Sequence, residues 1–186
     1  NKYDLAIEEY TKAIAINRTT PLCYSNRALS YYNLEDYEKA LEDYTRSIDL
    51  DKDNPDRYYD RSDCYIAMEY FTNALKDLDK AIALAPEDPS YYNNRADFYD
   101  TEEKYDEALK DYATAIKISQ EVYVTTRALN NRALIYEQQQ KYELAIGEYT
   151  KAIALKPSYS LFYANRADVY LELEDYEKAL EDFTTA

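Results

Sequence analysis

"YSNRALSYYNLEDYEKALEDYTRSIDLDKDNP", residues 24–55, decides how this chain folds. At about 100° per residue, Tyr24, Ala28 and Tyr31 share one helical face. Tyr37, Ala40, Leu41, Tyr44, Ser47 and Ile48 share the face of a second helix. The spacing predicts two amphipathic helices, at roughly 22–34 and 37–50, closed by the turn "DKDNP" at 51–55. Proline suits that place because it fits a first helical turn and cannot continue a helix.

The stretch recurs. Aromatic residues just before an apolar helix stand at Tyr3, Tyr37, Phe71, Tyr105, Tyr142 and Tyr176, in steps of 34, 34, 34, 37 and 34. A second marker, the arginine of an Asn-Arg-Ala-like triplet, stands at Arg27, Arg61, Arg95, Arg132 and Arg166, in steps of 34, 34, 37 and 34. Both markers give a 34-residue period with one three-residue insertion, between Ile118 and Thr126. The expected units are 1–20 (partial), 21–54, 55–88, 89–125 with the insertion, 126–159 and 160–186 (partial). Further turns fall at "APEDP" (85–89) and "KPS" (156–158). At "SQEVYVTTR" no proline ends the helix, so the unit's second helix is expected to run one turn longer, or its loop to swell.

Composition sets limits on function. The chain has 186 residues, no His and no Trp, so a His-based metal site, triad or proton shuttle cannot be built from them. One Gly and five Pro favour long helices over many short strands. The net charge of −15 argues against nucleic acid, whose phosphates demand a basic surface, and against anionic membranes. Cys23 and Cys64 show no metal or redox spacing and are expected to be unpaired thiols. No apolar run is long enough to span a bilayer. The sequence names no compartment, and a cytoplasmic one is the working expectation. The chain starts with Asn1, so a preceding targeting segment is open.

The order aromatic, small, aromatic, aromatic, Ala, aromatic, Ala, Pro in residues 24–55, repeated along the chain, resembles the tetratricopeptide repeat family. One departure is that the family's usual Gly is Ala28, Ser62, Ala96, Ala133 or Ala167 here. The resemblance implies an all-α solenoid of antiparallel helix pairs, about 11 helices, wound as a right-handed superhelix with a concave groove. Elementary packing agrees. One helix pair cannot bury its apolar stripe alone, whereas stacked pairs share a continuous core. Ala6, Ala40, Ala74, Ala108, Ala145 and Ala179 let helices approach closely. Eighteen of the 24 tyrosines fall at four repeating positions and are expected to pack. Tyr32, Tyr59, Tyr70, Tyr91, Tyr123 and Tyr159 break the pattern and are expected to be the exposed ones.

The triplet divides its labour. The Ala packs. The arginine is followed 16 positions later by an acid in every full unit: Asp43, Asp77, Asp111, Glu148 and Asp182. That distance reaches the middle of the antiparallel second helix and predicts a partly buried ion pair within each repeat. The helical wheel puts Asn93, Asn94, Asp97 and Asp100 opposite the core face of Tyr92, Ala96 and Tyr99. In the tetratricopeptide family that second face lines the groove. Asn26, Asn94, Asn131 and Asn165, with Asp60 as the odd member, then form a row of amides one repeat apart. The row resembles the asparagine ladder of O-linked N-acetylglucosamine transferase repeats, which implies contact with a peptide backbone. The other reading of the row is that each Asn bonds a neighbouring helix and fixes the stacking.

The candidate peptide-binding residues are therefore Asn26, Asn94, Asn131, Asn165, Asp60, Tyr59, Asp63, Asn93, Asp97, Asn130 and Arg127. Tyr32, Asp56, Ile66, Asp100, Glu137 and Asp168 extend the expected lining. Its carboxylates favour a basic protein or peptide partner, bound more weakly in salt. The carboxylate clamp of chaperone-binding family members survives only in fragments. The Asn row and Arg127 match parts of it, but Asp63, Asp97 and Asp168 replace its other Asn. An acidic chaperone-type peptide is therefore disfavoured.

No cofactor, metal or catalytic residue is expected. "DLDKDNPDRYYD" (49–60) alternates carboxylates like a calcium loop but lacks the Gly and the bidentate Glu. The expected function is a non-enzymatic protein-interaction scaffold. The alternative is structural self-assembly, because neither end shows a polar capping helix and heterologous stacking gives open filaments.

Overall fold

The computed structural model describes residues 2–186, which form eleven α-helices and no strand among the described residues. The helices fall into two compact units, one ending at Pro86 and one running from Glu87 to Ala186. The first holds α1 (Lys2–Ile16), α2 (Pro21–Tyr32), α3 (Tyr37–Leu50), α4 (Pro55–Ala67) and α5 (Phe71–Leu84). The second holds α6 (Pro89–Thr101), α7 (Tyr105–Ile118), α8 (Val122–Gln138), α9 (Tyr142–Leu155), α10 (Ser160–Glu172) and α11 (Tyr176–Thr185). Within each unit every helix packs on its sequence neighbours, as stacked antiparallel pairs require.

Helix starts follow the sequence closely. Pro21, Pro55 and Pro89 open α2, α4 and α6, where a missing N–H costs nothing. Asp36 and Asp175 cap α3 and α11, accepting the backbone N–H of Lys39 and Lys178. Each also takes the ammonium of that lysine, at 2.5 Å and 2.6 Å.

The turn inside each repeat is a device the sequence did not announce. Glu35, Glu69, Glu103, Gln140 and Glu174 all adopt positive φ, between 56° and 60°. In each case the following N–H reaches back to a tyrosine carbonyl: Asp36 to Tyr31, Tyr70 to Tyr65, Lys104 to Tyr99, Lys141 to Tyr136 and Asp175 to Tyr170. The left-handed residue itself donates to the next carbonyl along, Glu35 to Tyr32 at 2.9 Å for example. This is the Schellman ending of a helix, built here without its usual glycine.

The core is alanine and tyrosine. In the first unit Ala28, Ala40, Tyr44 and Cys64 form one buried cluster with Tyr31 against it. In the second, Ala96, Ala108, Tyr112, Ala115, Ala128 and Ile135 form another, and Ala133, Ala145, Tyr149 and Val169 a third. The alanines bring helix axes together, and the tyrosine rings fill what remains. Burying such a ring contributes on the order of 2 kcal/mol. Cys23 and Cys64 are both thiols, and burial pushes Cys64 up to about 12, which leaves it inert.

Three expectations are corrected. Tyr91 is buried, at 5% exposure, and Tyr32 and Tyr59 are half-buried, whereas Tyr70, Tyr123 and Tyr159 are exposed as their broken pattern suggested. Asn93 does not face outward. It is fully buried, and its Nδ2 donates to the Val124 carbonyl at 3.1 Å. A first helix buries two faces, one on its own partner and one on the next first helix, and a single-face wheel misses the second. The insertion lengthens neither the preceding second helix nor the loop. α7 has 14 residues like α3, α5 and α9, and the added turn belongs to the start of α8, which has 17. Residues 51–54, at the calcium-like stretch, form the turn between α3 and α4, where Asp51 pairs with Arg57. Among the described residues no carboxylate, Cys and His cluster could hold a metal, and no helix is long and apolar enough to cross a membrane.

Candidate functional site

The five arginines of the triplet are the frame on which the candidate site is built. Arg27, Arg61, Arg95 and Arg166 each grip their aspartate with two nitrogens, at 2.6–2.9 Å. Arg132 grips Glu148 in the same manner, through one oxygen. The carboxylates are nearly buried and the guanidiniums mostly so. A planar fork meeting a carboxylate squarely offsets the cost of removing both from water.

The frame extends further than the ion pair. Arg27 Nη1 donates to Thr11 at 3.0 Å, Arg61 Nη1 to Thr45 at 3.1 Å and Arg166 Nη1 to Thr150 at 2.8 Å. Each of these threonines stands 16 residues before its arginine, on the second helix of the preceding repeat. One guanidinium thus ties three consecutive helices. The threonine spacing is visible in the sequence at three of the five arginines, with Asp79 and Ile116 in its place before Arg95 and Arg132.

In the first unit the candidate face is carried by α2 and α4. No bond engages the Asn26 amide among the described residues. It lines a shallow cleft with Tyr3, Tyr10 and Asn33. Asp60 and Asp63 sit half-buried on α4, where burial pushes them up to about 7 and about 6. For Asp60 the charges of Asp63 and Asp56 add to burial, and Arg57 offsets them only in part. The Tyr59 hydroxyl steadies Asp63 by hydrogen bonding. Burial, chiefly, also raises the Tyr32 and Tyr44 hydroxyls nearby.

In the second unit the candidate residues bond to one another. Arg127 on α8 pairs with Asp97 on α6, and its two terminal nitrogens donate to Asn94 Oδ1 at 3.2 Å. Asp97 accepts in addition from the Tyr112 hydroxyl and from Asn131 Nδ2, the latter at 2.9 Å. Asn165 Nδ2 donates to Asn130 Oδ1 at 3.0 Å, and Asn130 Nδ2 to Asn131 Oδ1 at 3.2 Å. The Tyr149 hydroxyl donates to Glu137. So the amides of Asn131 and Asn165 already bond across neighbouring first helices, and Arg127 is not a free cation. Burial raises Asp100 and Glu137, reinforced by Asp97 for the first and by Asp168 and Glu172 for the second.

The comparisons with known proteins fit this architecture. Models described as tetratricopeptide repeat match residues 21–54, 55–88, 87–158 and 148–181, and one described as TPR repeat matches 1–35. No sequence among the curated proteins matches the chain. Among solved structures, YrrB, a TPR protein with an unusual peptide-binding site, is 22% identical at a TM-score of 0.68, over 96% of this chain and 91% of its own. The C-terminal part of a TPR repeat-containing protein from Cytophaga hutchinsonii is 19% identical at 0.80, over 97% and 74%. Yeast Tom70 is 22% identical at 0.79, over 96% of this chain but 38% of its own. Matched by these models over residues 1–181 and folded as helix pairs over the described residues, the chain belongs to the tetratricopeptide repeat family.

Proposed function

We propose that the chain is a non-enzymatic protein-interaction scaffold whose first-helix face binds an extended, basic peptide segment. The family and the likeness to YrrB, with its peptide-binding site, support a peptide partner. What carries the basic character is the crowding of Asp60 and Asp63 on α4, which burial pushes up to about 7 and about 6, with the like charges of Asp63 and Asp56 adding to burial at Asp60. A lysine or arginine side chain placed among them restores their ionised form and gains attraction in a partly dry site. Asn26, in the same unit as Asp60 and Asp63, keeps its amide N–H groups unengaged among the described residues, and these would hold a peptide carbonyl at about 0.5–1.5 kcal/mol.

The test is calorimetric titration with a ten-residue lysine-rich peptide and with its glutamate-for-lysine counterpart. The basic peptide should bind, weaken as salt rises, and lose about tenfold on Asp60→Asn/Asp63→Asn. Equal binding of both peptides would overturn the reading.

The second reading is self-association. On α11, Tyr176, Leu180 and Phe183 are 65%, 66% and 44% exposed. Tyr112 and Tyr149, which match Phe183 in earlier repeats, are wholly buried. Sedimentation over a concentration series distinguishes the two: growth in size supports assembly, and a constant monomer excludes it.

A further inference from the structure

The turn added at the start of α8 builds a cleft of its own. α8 begins at Val122, one turn before Thr126, the residue that matches the opening Pro89 of α6. The extra turn carries Tyr123, 69% exposed. Across a cleft of about 160 Å³ stand Tyr159, Leu161 and Phe162 at the start of α10. Tyr159 meets Phe162 edge to face, with centroids 4.8 Å apart, and Leu161 is 45% exposed. Exposed tyrosine and leucine facing one another across a gap of side-chain size is surface that water solvates poorly.

The charge of this cleft runs against the rest of the chain. The protein carries 37 acidic and 22 basic residues, yet no carboxylate lines the cleft, and Arg127 and Lys156 do. Asp97 neutralises Arg127. Lys156 lies 4.3 Å from the Tyr159 ring centroid and pairs with no carboxylate among the described residues. An ammonium held over a ring, beside an apolar wall, attracts an anion more strongly than one free in water.

We propose that this cleft is a second peptide site, one that takes a large apolar side chain next to an acidic residue. The apolar group enters between Tyr123 and the Tyr159–Leu161 wall, and the carboxylate meets Lys156 Nζ. The ligand class is opposite in charge to that of the α4 carboxylates. The inference therefore stands or falls separately from the basic-segment reading.

The experiment is an NMR titration of the full chain with an end-blocked pentapeptide, Gly-Ser-Glu-Phe-Ser. Two controls replace its Phe with Ala or its Glu with Lys. Blocked ends remove any contribution of a terminal carboxylate. Saturable shifts at Tyr123 and Leu161 are expected, with each control at least tenfold weaker. Tyr123→Ala should weaken binding about fivefold, Lys156→Glu should reverse the Glu-over-Lys preference, and Asp60→Asn/Asp63→Asn should change nothing. Both cleft variants alter exposed or half-exposed side chains, and circular dichroism checks that they remain folded. Absence of saturation, shifts confined to other residues, or an unchanged preference in Lys156→Glu would each overturn the proposal.

Discussion

Arg61 on α4 holds Asp77 on α5 by two parallel bonds, Nε to Oδ2 at 2.7 Å and Nη2 to Oδ1 at 2.8 Å. Its remaining nitrogen reaches Thr45 on α3 at 3.1 Å. Removing only the acid strands a nearly buried cation. Asp77→Ala should therefore cost about 3 kcal/mol in denaturant unfolding, near the low end for a broken buried pair. Arg61→Met/Asp77→Leu should cost much less than the two single changes summed, because no charge is left unpaired.

The five left-handed turn residues carry strain of a known sign. At φ near 60°, Glu35 and its four counterparts pay a Cβ penalty that glycine does not. Glu103→Gly should raise stability by about 0.5–1 kcal/mol, read as an increase in melting temperature. The gain should repeat at Glu69, since the geometry is the same.

The chain's one glycine stands in the opposite situation. Gly147 lies inside α9, and a Cβ added there meets nothing within 4 Å. Gly147→Ala should add about 0.5–1 kcal/mol by removing the backbone freedom glycine loses on folding. Thermal unfolding of the single variant is sufficient to check it.

Asp60 and Asp63 make stability depend on pH in an unusual direction. Their folded values, about 7 and about 6, lie above the unfolded carboxyl value of about 3.9. Between those limits the folded state binds more protons, so stability falls as pH rises from about 4 to about 7. Asp60→Asn keeps the neutral form at every pH. Its melting temperature should exceed that of wild type at pH 8 and converge with it near pH 4.5.

The asparagines should separate into two kinds. Asn131→Ala breaks bonds to Asp97 and Tyr112 and should cost about 1–2 kcal/mol. Asn26→Ala breaks none among the described residues and should leave unfolding unchanged. A loss of basic-peptide affinity in Asn26→Ala then reports binding alone.

The sequence by itself determined the repeat, the helix pairs and the arginine–acid partners, because each is a local or periodic relation. An apolar stripe, a proline at a first turn and a 16-residue reach need no knowledge of what lies beyond the neighbouring helix. Spacing also contains the threonines that complete the frame at Arg27, Arg61 and Arg166, each 16 residues before its arginine. Only tertiary structure decided what each first helix does with its second face. There Asn93 is buried against Val124, Asn131 bonds to Asp97, and Arg127 is neutralised, since each partner comes from a neighbouring first helix thirty or more residues away. The added turn of α8 belongs to the same class. A three-residue insertion can be absorbed by helix or loop at similar local cost, and the packing of its surroundings made the choice.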